Sequence, residues 1–142
     1  MIEVTKTEAE GLCIIKPKVF HDSRGYFVET FNFNEFKKHG LPHNFVQDNQ
    51  SFSKKGVLRG MHMQSAPYAQ TKLVRAVQGK ILDVAIDLRR ESKTFKKVFT
   101  CELSDENGLQ FLVPKGFAHA FVVLSETALV SYKCDEFYMP KS

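Results

Sequence analysis

Two histidines follow glycines in two spaced motifs. Gly56 is followed by five residues and then His62-x-Gln64; Gly108 is followed by five residues, Pro114-Lys115-Gly116, two more residues and His119. Paired imidazoles invite a metal, but the rest of a ligand set is missing. Gln64 offers a neutral amide, a poor ligand for a transition metal, and no acid occurs between Gln64 and Gly79. Lys72 stands there instead; its ammonium repels a divalent cation and must lose a proton before it can coordinate one. Structural zinc sites take four protein ligands and catalytic ones usually three, so no metal is expected. An imidazole beside a fixed positive charge suits other work. The lysine lowers the histidine pKa, which fits the imidazole to act as a base. The same cation stabilises an oxyanion. Together they fit removal of a proton beside a carbonyl, with the charge moving to oxygen as an enolate. Either histidine alone would more ordinarily be a satisfied interior residue. The pair, at these spacings, reads as a site.

The elements that must position this chemistry are short strands. LCIIKPKVF (12–20) reads as extended, with Pro17 at an edge or bend; HDSRG (21–25) reads as a turn and YFVETF (26–31) as a strand. One short helix is expected near residues 32–39, capped by Asn32 or Asn34, with Lys37 and Lys38 at its C-terminal end and Gly40 stopping it. From there NFVQDNQSF, GVLRGMHMQ, TKLVRAV, KILDVAIDL, KKVFTCEL, LQFLVP, FAHAFVVLS and ALVSYKC read as strands, punctuated by SKKG, QG, DENG and KG. Many short strands at close spacing predict an all-β sandwich or barrel with antiparallel pairing. In KILDVAIDL a period of two places Leu82, Val84, Ile86 and Leu88 on one face, expected to pack between sheets. Ile81, Asp83, Ala85 and Asp87 fall on the other, towards solvent or a polar cavity.

Composition narrows the class. A chain of 142 residues is long enough for one core and too short for two domains. Thirteen Phe and no Trp lean towards β structure. A formal charge of +4 suits a small anion such as a nucleotide diphosphate. Nucleic acid is not expected, because no clustered Lys or Arg makes a phosphate-tracking stripe. Cys13, Cys101 and Cys134 are odd in number and irregularly spaced, so neither a disulfide framework nor a zinc site is indicated. Cys101, alternating with Phe99 and Leu103, reads as a small core residue. No apolar run approaches the roughly 18 residues of a membrane span, and the N-terminus lacks a signal-peptide core. A cytoplasmic protein with no membrane contact is the reading.

The two glycine–histidine spacings resemble the paired signature of the cupin superfamily. That implies a cupin-type double-stranded β-helix, or jelly-roll barrel, as one cupin-like domain over residues 1–142. A closer likeness runs from about residue 19 to the end. F-x-D-x-R-G-x-F-x-E (Phe20 to Glu29), Q-D-N-x-S (Gln47 to Ser51), G-V-L-R-G-M-H (Gly56 to His62), P-x-x-Q-x-K-L-V (Pro67 to Val74), D-V-A-I-D-L-R (Asp83 to Arg89) and PKGFAHAFVVLSETALVSYK (Pro114 to Lys133) resemble the dTDP-4-dehydrorhamnose 3,5-epimerases. The resemblance implies a metal-independent isomerase, with no cofactor, acting on a dTDP-linked 4-keto-6-deoxy sugar in deoxysugar and polysaccharide biosynthesis. His62 would be the base that removes the proton beside the C4 ketone. Tyr132 would be the acid that returns one from the opposite face, and Lys72 the cation beside the enolate oxygen. Arg24, Glu29, Gln47, Asn49, Arg59 and His119 would contact the nucleotide-sugar, and Tyr138 would stack on the thymine ring. Each role suits its residue: inversion needs groups on both faces, and a guanidinium matches a phosphate. The family forms homodimers with exchanged N-terminal strands, and a homodimer is expected here.

The sequence stops at Ser142, directly after the Y-x-P of FYMP, where members of the family continue with an aspartate that pairs with the base. Asp83 is the candidate within this chain to take that place. Whether one centre or two are inverted stays open. A 3,4-ketoisomerase is the rival enzyme, although such proteins carry paired histidines where this chain has Met63-Gln64. A nucleotide-sugar-binding cupin without turnover is the rival from another class.

Overall fold

In the computed structural model, which describes residues 1–140, the order is β1 (Ile2–Lys6), β2 (Cys13–Pro17), β3 (Val19–Asp22), β4 (Gly25–Val28), α1 (Phe33–Lys38), β5 (Gln47–Lys54), β6 (Leu58–His62), β7 (Lys72–Gln78), β8 (Lys80–Asp87), β9 (Val98–Ser104), β10 (Gln110–Val113), β11 (Phe117–Val123) and β12 (Thr127–Cys134). The eight strand-like runs after residue 43 all became strands. The helix formed with Asn32 as its cap, whose side chain accepts from the Glu35 N–H at 3.0 Å. The first strand went unread, although Ile2 and Val4 alternate with Glu3 and Thr5. Pro17 closes β2, which is an inner strand of its sheet.

A six-stranded sheet runs β1-β2-β10-β7-β12-β5, a four-stranded sheet β6-β11-β8-β9, and β3 pairs with β4 as a separate hairpin. Every strand pairing is antiparallel, as a jelly roll requires. The main core lies between the two sheets, with Val74, Phe111 and Val130 from the larger meeting Ile81, Leu103 and Phe121 from the smaller. The larger sheet is also covered outside. Phe36 of α1 is fully buried there against Cys13, Ile15, Leu73 and Leu112, with Phe31 and Phe45 packed edge-on around it. Burying that one phenyl ring contributes about 2–3 kcal/mol. Strands β2, β7 and β10 are thereby covered on both faces.

The face assignment of β8 is the reverse of the sequence expectation. Ile81, Asp83, Ala85 and Asp87 point inward and are buried, while Leu82, Val84 and Ile86 are half-buried on the outer face and Leu88 is exposed. Period two fixes which residues share a face but not which face is inside. The aspartates are tolerated because partners wait for them. Burial pushes the Asp87 carboxyl up, but hydrogen bonds from Arg89, Ser92 and Thr94 outweigh it and hold it below the usual carboxylate range. Asp83 meets His119. Cys101 packs in the core as read.

One glycine brings the two histidine-bearing strands together. Gly60 adopts φ +117°, and a Cβ there would lie 2.6 Å from the His119 carbonyl oxygen and 2.7 Å from Ala120 Cβ. The approach coincides with a register slip in β11 between His119 and Phe121. Gly60→Ala combines backbone strain with this overlap and is expected to cost on the order of 2 kcal/mol. Urea denaturation checks it; an unchanged midpoint would show that β6 moves off β11 freely.

Candidate active site

The inward row of β11 reads Phe117, His119, Phe121, Val123, so one imidazole is set into an otherwise apolar wall. Antiparallel pairing places His62, the last residue of β6, directly opposite His119. On the facing sheet Tyr132 of β12 stands between Asn49 of β5 and Val74 of β7. Lys72 opens β7, is 8% exposed, and carries its Nζ 5.7 Å from the centre of the Tyr132 ring. The base thus comes from one sheet and the cation and phenol from the other. Asn49, Arg59, His62, Lys72, His119 and Tyr132 all line one cavity of about 410 Å³, joined by Ser51 and Phe121, which the sequence did not single out.

The electrostatics follow from this placement. His62 remains exposed at the end of β6, but the partial desolvation it meets at the cavity lowers its pKa first, and the Lys72 ammonium and His119 lower it further. The imidazole is therefore unprotonated over a wider range than a free histidine. Burial also pulls the Lys72 pKa down, while Cys134 and Asp83 oppose it. Burial raises the Asp83 carboxyl, against which His119 pulls down through its charge and a 2.7 Å hydrogen bond.

That bond corrects one expectation. Asp83 orients His119, not His62. In the sheet order β11 lies between β8 and β6, so a carboxylate projecting from β8 reaches the β11 histidine first. Among the described residues nothing hydrogen-bonds the His62 ring.

The remaining candidates divide in two. Arg59 donates through Nε to the buried Ser53 hydroxyl at 2.8 Å, which leaves its terminal nitrogens for a ligand. Gln47 does not line the cavity but is tied to a residue that does; its Nε2 donates to Asn49 Oδ1 at 3.0 Å and its Oε1 accepts from the Tyr138 N–H at 3.1 Å. Tyr138 itself is exposed. Arg24 and Glu29 do not reach the cavity of their own chain. Arg24 closes onto Asp22 at the tip of the β3–β4 hairpin with Nη2 at 2.6 Å, which holds the Asp22 carboxyl below its usual range. Glu29, just after β4, accepts weakly from Asn32 at 3.4 Å. A larger hollow of about 790 Å³ lies between this hairpin and the outer face of the six-stranded sheet; His21, Tyr26 and Arg75 line it together with Glu3, Asp105 and Glu106.

Lys72→Met removes the ammonium that helps depress the His62 pKa. The His62 imidazole is then expected to titrate at higher pH, followed by its carbon-bound proton resonances in NMR. An unmoved titration would mean that burial alone sets the base.

The sequence matches the dTDP-4-dehydrorhamnose 3,5-epimerase family over residues 6–142. It is 51% identical over 136 residues to the dTDP-4-dehydrorhamnose 3,5-epimerase of Methanothermobacter thermautotrophicus, covering 96% of this chain and 73% of that one. The crystal structure of the enzyme of that name from Elizabethkingia anophelis superimposes with a TM-score of 0.94 at 54% identity, covering 99% of this chain and 78% of the other. The dTDP-6-deoxy-D-glucose-3,5-epimerase of Legionella pneumophila, solved in complex with dTDP-4-keto-L-rhamnose, gives a TM-score of 0.95 at 45% identity, covering 100% of this chain and 76% of that one. Matches this close, running the length of the chain with a jelly roll in common, place the protein in the dTDP-4-dehydrorhamnose 3,5-epimerase family.

Proposed function

We propose that this protein is a nucleotide-sugar epimerase, working as one cupin-like domain without a metal, that inverts C3, C5 or both of a dTDP-4-keto-6-deoxyhexose. The observation that carries this is the convergence of His62, Lys72 and Tyr132 on a single cavity from two facing sheets. The unprotonated His62 takes the proton from the carbon beside the C4 ketone. The electrons of that C–H bond form a C=C bond, and the carbonyl pair moves to oxygen as an enolate. Lys72, buried and close to Tyr132, stabilises the developing oxyanion. The Tyr132 hydroxyl then delivers a proton to the opposite face, the ketone re-forms, and the centre is inverted. His119, fixed by Asp83, and Asn49 hold the sugar, and Arg59 binds the diphosphate. Incubation with dTDP-4-keto-6-deoxyglucose in deuterated water tests the reaction. Deuterium at C3, C5 or both, with the ketone still at C4, is expected. A ketone moved to C3 would indicate the ketoisomerase instead, and tight binding without exchange a pure binder. His62→Ala should abolish exchange while dTDP affinity stays within about tenfold; an equal loss of binding would make His62 a holding group.

We further propose a homodimer in which the β3–β4 hairpin carries Arg24 and Glu29 into the partner's cavity. In favour of it, the hairpin belongs to neither main sheet and exposes Phe20, Tyr26 and Phe27 by 52%, 66% and 66%. The hollow beneath it offers room for a second copy. Arg24→Ala and His62→Ala proteins, each inactive alone, should regain part of the wild-type exchange rate when mixed and allowed to swap subunits, because one hybrid site holds both intact residues. No recovery would place Arg24 in its own subunit's site. Among the described residues no helix is long and apolar enough to cross a membrane, and we place the protein in the cytoplasm.

A further inference from the structure

Gln64 stands two residues beyond His62, where a metal-binding cupin would carry its second histidine, and the catalytic scheme gives it no task. It is 9% exposed, and its amide is fully engaged. The Nε2 donates to the Tyr68 carbonyl and, at 3.2 Å, to the Phe137 carbonyl, while Oε1 accepts from the Met139 N–H at 2.7 Å. Two of these bonds fall on the residues immediately before and after Tyr138. The N–H of Tyr138 itself goes to Gln47, whose other end holds the cavity-lining Asn49. Upstream, Gln70 donates to the Glu136 carbonyl at 2.9 Å.

Among the described residues the segment after β12 has no strand partner; Thr71 holds Asp135 at its start, and these glutamine amides hold residues 136–139. A planar group that gives two hydrogen bonds and accepts one at the same place must be a carboxamide. Imidazole offers too few groups, and a carboxylate would oppose the two carbonyls.

We infer that Gln64 is a positioning residue for the nucleobase end of the site: its amide brackets Tyr138 and sets that ring beside the cavity mouth. This rests on the epimerase reading above. The side chain that would complete a metal set has become a clamp, joining the strand that bears the base to the segment that meets the nucleotide.

Calorimetric titration with dTDP and, separately, with inorganic pyrophosphate tests it. Gln64→Met keeps the stem and removes the hydrogen bonds. Its dTDP affinity should fall about tenfold, with pyrophosphate affinity within about twofold and KM for the nucleotide-sugar rising while kcat holds. Adding Gln64→Met to Tyr138→Ala should weaken dTDP no further, because the clamp acts through that ring. Unchanged dTDP affinity, equal loss for both ligands, or a fall in kcat with binding intact would overturn the inference. Should the Met variant fail to fold, Gln64→Glu serves. Its dTDP affinity relative to wild type should recover as pH falls and the introduced carboxylate gains a proton to donate; a ratio independent of pH would overturn the clamp. Failure of the wild-type protein to bind dTDP would sink the epimerase reading and this inference with it, whereas dTDP binding indifferent to Gln64 would sink this inference alone.

Discussion

An ammonium held among side chains, not in water, is the constraint around which the site is arranged. Lys72 is almost fully enclosed at the start of an inner strand, with its Nζ 5.7 Å from the centre of the Tyr132 ring. Charge in such a place is costly unless it has work to do. Here it acts in two directions. After desolvation, it is the next cause that lowers the basicity of His62 across the cavity, and in the proposed reaction it would meet the negative charge left when a proton is removed. A carboxylate within ion-pair reach would cancel both effects. Asp83, the nearest acid, is instead tied to His119 on the far wall.

The Asp83–His119 pair shows how a barrel interior is divided. The lower part is sealed by Ile81, Phe121 and Val123, and Asp83 enters the interior where the next strand supplies His119 as its complement. Asp83 leaves Oδ2 without a partner although the residue is fully buried, so the pair is polar but not saturated. Its service is to the orientation of His119, which stands opposite the base across a strand pair that tolerates no side chain at Gly60.

Much of this was legible from residue order. Alternation and turn residues located the strands after residue 43 and the cap of α1, and the two glycine–histidine motifs pointed to the cavity. Other features were not legible, each for a physical reason. The inward face of β8 was inverted because alternation cannot tell an apolar face turned outward from one turned inward when buried aspartates find partners. The partner of Asp83 depends on which strand lies next in the sheet, and sequence does not give sheet order. The role of Gln64 arises from contacts with residues more than seventy positions away. A polar residue behind a histidine carried only the message that it was not a ligand. Arg24 and Glu29 resembled site residues by motif, but hairpin geometry sets them apart from the cavity of their own chain.

The two walls of the cavity differ in how firmly they are built. Tyr132 and Lys72 ride on inner strands of the six-stranded sheet, each paired on both sides, whereas His62 ends β6, whose residues are all exposed and which is bonded on one side only. Tyr132 and Lys72 are therefore the more firmly held, and the gap between them and His62 depends on an edge strand. Amide hydrogen exchange along β6 should run far ahead of that along β7 and β12. Whatever braces that loose margin governs how far a proton has to travel.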